Sequence, residues 1–226
     1  MKRAVDNPKA CVSGVASSAG AGASVGVSNT DSGSVAVEVA MKIAVQTQRS
    51  RGEPSRHRFV SFLGGYHGDT FATMSVCDPE EGMHHLFRDV LAPQFTRPLP
   101  TTTDEHAAFA AFLNQERHQI AAVVLEPLVQ CATGMAMHDP IYLTLLRALC
   151  DRYQVHLIAD EIAVGCGRSG TFFACEQAAI WPDFLCLSKG ISGGYLPLSL
   201  VLSTDDVYQS FYSEDITRGF LHSHSY

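Results

Sequence analysis

At 226 residues the chain is long enough to bury a sizeable core, as one large domain or two small ones. A net charge of −7, with no sustained run of Lys or Arg, argues against a general nucleic-acid binder. No stretch reaches the roughly 18 consecutive apolar residues of a membrane span, and the seven cysteines, never spaced C-x-x-C, fit reduced thiols of a cytoplasmic protein rather than disulfides or a zinc site.

Residues 1–29 differ from the rest. Met1-Lys2-Arg3 is basic, and Ser13 to Ser28 is almost all Gly, Ala, Ser and Val. Ser and Gly break the apolar part too often for a signal peptide, so an irregular lead-in is expected, with a short strand at 23–27. Gly20 to Gly26 misses the spacing of a dinucleotide fingerprint by one residue. The domain is expected to occupy residues 30–226.

Asp31-Ser32-Gly33-Ser34 leads into apolar residues at helical spacing from Val35 to Ala44. Two readings fit. Gly33 and Ser34 at a helix N-terminus, where free N–H groups and the dipole meet, would cradle an anion such as a phosphate. An ordinary N-cap would use the same residue types. Phe59 to Leu63 is a short strand candidate that runs into Gly64-Gly65-Tyr66-His67-Gly68. Its glycines put an aromatic and an imidazole on a tight turn, where Tyr66 either covers a planar ligand or packs on the core. His84, His85, His222 and His224 show no ligand spacing, so no metal site is expected.

Residues 76–104 read as irregular surface, and 104–118 as a helix. Ile120 to Leu125 is a buried strand ending at Glu126-Pro127, followed by a loop from Gln130 to Met137 and a helix from Pro140 to Tyr153. Val155 to Asp160 and Phe184 to Leu187 are further apolar strands. The first ends in Asp160-Glu161, and the second is followed by Ser188-Lys189. Strand, helix and strand again predict a parallel α/β sheet. In such sheets ligands bind outside the carboxyl ends of the strands. Gly165 to Gly170 matches G-x-G-x-x-G literally, but no amphipathic helix follows it. A strand over 196–202 and a helix over 208–213 complete the predicted elements.

An anion cradle at Gly33 and Ser34, a ring at Tyr66, acids at Glu126 and Asp160 and an amine at Lys189 suit one cofactor, pyridoxal 5′-phosphate (PLP). Its phosphate wants a helix N-terminus, its ring an aromatic cover, its ring nitrogen a carboxylate and its aldehyde a lysine. The segments Asp31–Ser34, Gly65–Thr70, Ala159–Ile162 with Gly167–Gly170, and Leu187–Gly190 resemble those of the class III (ω-type) aminotransferases of fold type I. Met83-His84 and Glu126 to Gln130 resemble the branch of that class that serves biotin synthesis.

The resemblance implies a three-layer α/β/α large domain with a mostly parallel central sheet. It implies that Lys189 carries PLP as a Schiff base and shuttles a proton, and that Asp160 holds the ring nitrogen. Gly33 and Ser34 would bind the phosphate, with Tyr66, His67 and Glu126 around the cofactor. His224 and Ser225 would reach the phosphate of a partner subunit in a homodimer. Tyr66, Lys189 and Ser223 would meet substrate, with S-adenosylmethionine as amino donor and 8-amino-7-oxononanoate as acceptor. Residues 1–29 do not resemble the family's N-terminal segment, and Tyr226 precedes the small domain that supplies its carboxylate-binding arginine. The large domain is therefore expected to be incomplete at both ends, and a cofactor-binding fragment without turnover is the competing reading.

Overall fold

The computed structural model describes residues 26–80 and 82–223. Its strands are β1 (Gly26–Thr30), β2 (Arg58–Phe62), β3 (Phe95–Arg97), β4 (Ile120–Leu125), β5 (Val129–Gln130), β6 (Ala136–Met137), β7 (His156–Asp160), β8 (Phe184–Leu187) and β9 (Ser199–Ser203). The helices are α1 (Gly33–Ser50), α2 (Phe71–Met74), α3 (Thr103–Glu116), α4 (Ile141–Tyr153) and α5 (Asp205–Gln209). Seven strands form one sheet in the order β1-β9-β8-β7-β4-β2-β3, and β5 and β6 make a separate small hairpin. β8, β7, β4, β2 and β3 are mutually parallel, whereas β9 is antiparallel to both of its neighbours.

All six residues of β4 are buried, as a strand covered on both faces requires. Successive side chains divide between the two faces. Phe184, Cys186 and Ile158 join α1 and Val207 of α5 in one core. Leu185, Leu187, Leu157 and Ala159 join Leu113 of α3 and Leu143, Leu146 and Cys150 of α4 in the other. This is the three-layer α/β/α arrangement, with a mostly parallel sheet. Helix α3 starts on a capping box in which Thr102 and Glu105 satisfy each other's backbone N–H.

Several local expectations change. The sheet already begins at Gly26, so the end of the stretch expected as lead-in is an edge strand paired with β9; residues 23–25 of the predicted 23–27 strand lie outside the described residues. Residues 76–104 contain β3, whose three residues are too few to show alternation, and a 3-10 turn at His85–Val90. The loop over 130–137 closes the β5–β6 hairpin. The last helix lies at Asp205–Gln209, earlier than the predicted 208–213, because Thr204, with two acids behind it, marks its start.

Candidate active site

Every charged or aromatic residue singled out along β2, β4, β7 and β8 lies at, or just beyond, the carboxyl end of its strand. These four strands are adjacent and parallel. Asp160 ends β7 and pairs in register with Cys186 of β8, two residues before Ser188-Lys189. Glu126 directly follows β4, and Tyr66-His67 follows the turn after β2. β1 and β8 point the same way, because each is antiparallel to β9, so the N-terminus of α1 opens on this same edge.

Asp160 is buried. Its Oδ2 lies 2.8 Å from His67 Nδ1, and its Oδ1 accepts the Ile162 N–H at 3.2 Å. Burial alone would push the His67 imidazole down. The hydrogen bond and charge of Asp160, with the charge of Glu126, outweigh it, so His67 holds its proton more tightly than a free imidazole. Glu126 accepts the Tyr66 N–H at 3.0 Å and the Cys131 N–H at 3.2 Å. Burial raises its carboxyl pKa against the opposing pull of His67. The Tyr66 hydroxyl donates to both oxygens of Asp69 at 2.9 Å. Burial and that bond raise the phenol pKa, so Tyr66 stays neutral.

At the start of α1, Ser32 caps the helix by accepting the Val35 N–H, and Ser34 Oγ accepts the Asp69 N–H at 2.9 Å. A Cβ on Gly68 would lie 2.0 Å from Ser34 Oγ, at a φ of +119 that disfavours any side chain. The loop after β2 and the N-terminus of α1 therefore meet backbone to side chain. Lys189 is exposed, with φ +24, a region sparsely used by non-glycine residues. Its amine makes no hydrogen bond or ion pair among the described residues.

The sequence profile of the family Aminotransferase class-III matches residues 8–224. This chain belongs to the class III aminotransferases. Its relatives include the adenosylmethionine-8-amino-7-oxononanoate aminotransferase of Mycobacterium leprae, 49% identical over 166 residues, and that of Helicobacter pylori, 42% identical over 177. The first alignment covers 72% of this chain and 38% of the relative, the second 74% and 39%. The solved structure of the same enzyme from Methanocaldococcus jannaschii matches with a TM-score of 0.83 at 33% identity, over 89% of this chain and 47% of that one. An amine transaminase from an uncultivated Pseudomonas species, solved in its PLP-bound form, matches at 0.80 and 32%, over 89% and 48%. The chain spans less than half the length of the relatives it matches.

Class III aminotransferases depend on PLP. The residues present fit that cofactor. Gly68 lets the loop after β2 close directly onto Ser34 at the α1 N-terminus, where Ser34 Oγ accepts the Asp69 N–H, Asp160 is an anchored carboxylate, and the Lys189 amine makes no hydrogen bond or ion pair among the described residues. Ser223 is exposed at the end of a segment that lies along α1, where Gln46 donates to the Arg218 and Gly219 carbonyls and Lys42 contacts the Phe220 ring. Lys42 lies nine residues after Gly33 in α1, roughly 14 Å along the helix axis from its N-terminus. His224 and Ser225 lie outside the described residues.

Two features of this site were missed in the sequence. Asp69 bonds Tyr66 and Ser34 together, which its place three residues after Tyr66 on the glycine turn could have suggested. His84, dismissed as a metal ligand for lack of a cluster, stacks on Tyr66 from a distant loop, and no local signal announces that.

Proposed function

We propose that this chain forms the cofactor-binding part of an aminotransferase that moves an amino group from S-adenosylmethionine to 8-amino-7-oxononanoate, giving 7,8-diaminononanoate in biotin biosynthesis. The observation that carries the PLP part of this reading is the convergence of Lys189, Asp160, Glu126 and Tyr66-His67 on one edge of four adjacent parallel strands. The names of the curated relatives support the choice of substrates.

When bound, PLP supplies an aldehyde for amine chemistry and a ring that withdraws electrons. The chain's own residues would do the rest. Asp160, oriented by His67 and the Ile162 N–H, would keep the ring nitrogen protonated. Ser34, with Gly33 and the α1 N-terminus, would hold the phosphate. Tyr66 would cover the ring and touch substrate, its backbone fixed by Glu126. The Lys189 amine would bind the aldehyde carbon and move the proton at the substrate carbon. Ser223 would meet substrate, and His224 and Ser225 would serve the partner's phosphate in a cytoplasmic homodimer. Residues 30–226 would be the large domain.

The nearly equal match to an amine transaminase, at a TM-score of 0.80 and 32% identity, supports a second reading, a class III transaminase for an ω-amino acid. Offering S-adenosylmethionine or a simple ω-amino acid as donor separates the two. Conversion of 8-amino-7-oxononanoate with S-adenosylmethionine supports the first reading, and turnover with the ω-amino acid alone overturns it.

A further inference from the structure

The Tyr66 ring has a neighbour from outside its own loop. His84, on the segment before the 3-10 turn at His85–Val90, stacks on it with centroids 5.9 Å apart and planes 22° from parallel. That is the offset arrangement aromatic pairs prefer. The same imidazole brings Nε2 to 3.2 Å from Asp69 Oδ1, a close charge contact when protonated rather than an aligned hydrogen bond. Asp69 in turn accepts the Tyr66 hydroxyl at 2.9 Å. Tyr66, Asp69 and His84 therefore close a circuit. The Asp69 N–H donates to Ser34 Oγ, which ties that circuit to the α1 N-terminus. Its far side is anchored too: Phe87 packs edge-on against Phe71 of α2, with ring centroids 6.3 Å apart, and Arg88 bonds the Pro79 carbonyl. The His84 side chain is only 12% exposed, although Met83 and Leu86 on either side are 66% and 81% exposed.

We propose that His84 is a positioning residue for the aminotransferase reaction: by stacking on Tyr66 and holding Asp69, it sets the tilt at which the Tyr66 ring is presented to the cofactor. It acts through Tyr66 and touches neither the cofactor nor substrate. This inference rests on the PLP reading of the site. Tyr66 sits on a glycine turn, where Gly64 has φ +75 and Gly68 φ +119, so its own loop holds the hydroxyl through Asp69 but, among the described residues, packs no side chain against the ring face. The stack from a separate segment provides what the turn lacks.

The test is to titrate the chain with PLP and follow visible absorbance for affinity, and the induced circular dichroism of the bound cofactor for ring orientation. His84→Ala is compared with Tyr66→Ala, with the double variant and with His84→Phe, which keeps a flat ring but no nitrogen. We expect His84→Ala to lose more than about half of the induced signal and to weaken PLP binding about tenfold, since small misplacements of a positioned group carry effects of that order. The double variant should match Tyr66→Ala alone, and His84→Phe should recover most of the signal. An unchanged signal in His84→Ala, or full additivity in the double variant, would overturn the proposal. If His84→Ala does not fold, His84→Phe and its double with Tyr66→Ala decide by the same criteria. Absence of any PLP signal in the unaltered chain is a different result: it removes the PLP reading itself and the proposal with it.

Discussion

Gly68 and Gly33 both lie where the loop after β2 meets the N-terminus of α1, but they differ in what surrounds them. On Gly68 a Cβ would meet the Ser34 hydroxyl and, at 2.7 Å, its Cα, at a φ that only glycine tolerates well. On Gly33 it would meet two carbons of the Ile162 side chain at 3.0 Å, and that side chain can shift. Gly68→Ala should therefore destabilise the fold by about 1–3 kcal/mol and abolish tight PLP binding. Gly33→Ala should cost well under that. Thermal unfolding and a PLP titration of both variants measure the contrast, and equal effects would count against the close approach. The Asp160–His67 pair makes a second prediction. The folded His67 pKa lies above the free value of about 6.5. The pair's stabilisation is therefore complete below about pH 6.5 and is lost as pH rises through the folded value. In Asp160→Asn the carboxylate charge is gone and burial, the largest influence on His67, faces only the weaker pull of Glu126, so the sign inverts and stability falls as pH drops. Urea denaturation at mildly acidic and mildly alkaline pH distinguishes the two slopes. Which residues serve the site was legible wherever a charge follows an apolar strand, as at Glu126, Asp160 and Lys189. It was not legible where the partner comes from afar: nothing around His84 signals Tyr66, eighteen positions earlier in the sequence.

At the scale of elements, long apolar or amphipathic segments were legible and short ones were not. β4, β7 and β8 are continuous buried runs, and α1 and α4 carry full apolar faces, so their order alone predicts a parallel sheet between helices. β3 and the β5–β6 hairpin are two or three residues long and owe their form to neighbours. One ion-pair cluster fastens α4 to the sheet. Asp183 accepts from Arg147 at 2.7 Å and from the Leu157 N–H at 2.7 Å, with the His156 imidazole 3.7 Å away. Burial alone would raise the Asp183 carboxyl. His156 and Arg147 outweigh it and hold it well below the usual carboxylate range. Its stabilisation is thus present above about pH 3.9 and lost as pH falls through the folded value. Asp183→Ala leaves Arg147 with only its exposed helical partner Asp151, 2.7 Å away, and should cost about 3 kcal/mol, with a smaller loss on acidification than in the unaltered chain. Leu146, fully buried between α4 and the sheet, should cost about 2–5 kcal/mol as Leu146→Ala. Chemical denaturation of both variants checks these values, and a loss below about 1 kcal/mol in either would mean that α4 is not docked as described.

For the whole molecule, the four parallel strands act as a rigid comb. Each delivers its residue to one edge, and the antiparallel pair β9 and β1 returns the chain so that α1 opens on that edge as well. Function thus follows from strand order more than from any single loop. The central claim is that Lys189 and Asp160 are two poles of one PLP site. Its most direct measurement is the visible absorbance of this chain titrated with PLP, alone and as Lys189→Ala and Asp160→Asn. A saturable band is expected in the unaltered chain, with its loss in Lys189→Ala and a shifted, weaker-binding band in Asp160→Asn. No band at any PLP concentration, or a band that persists in Lys189→Ala, would contradict that claim.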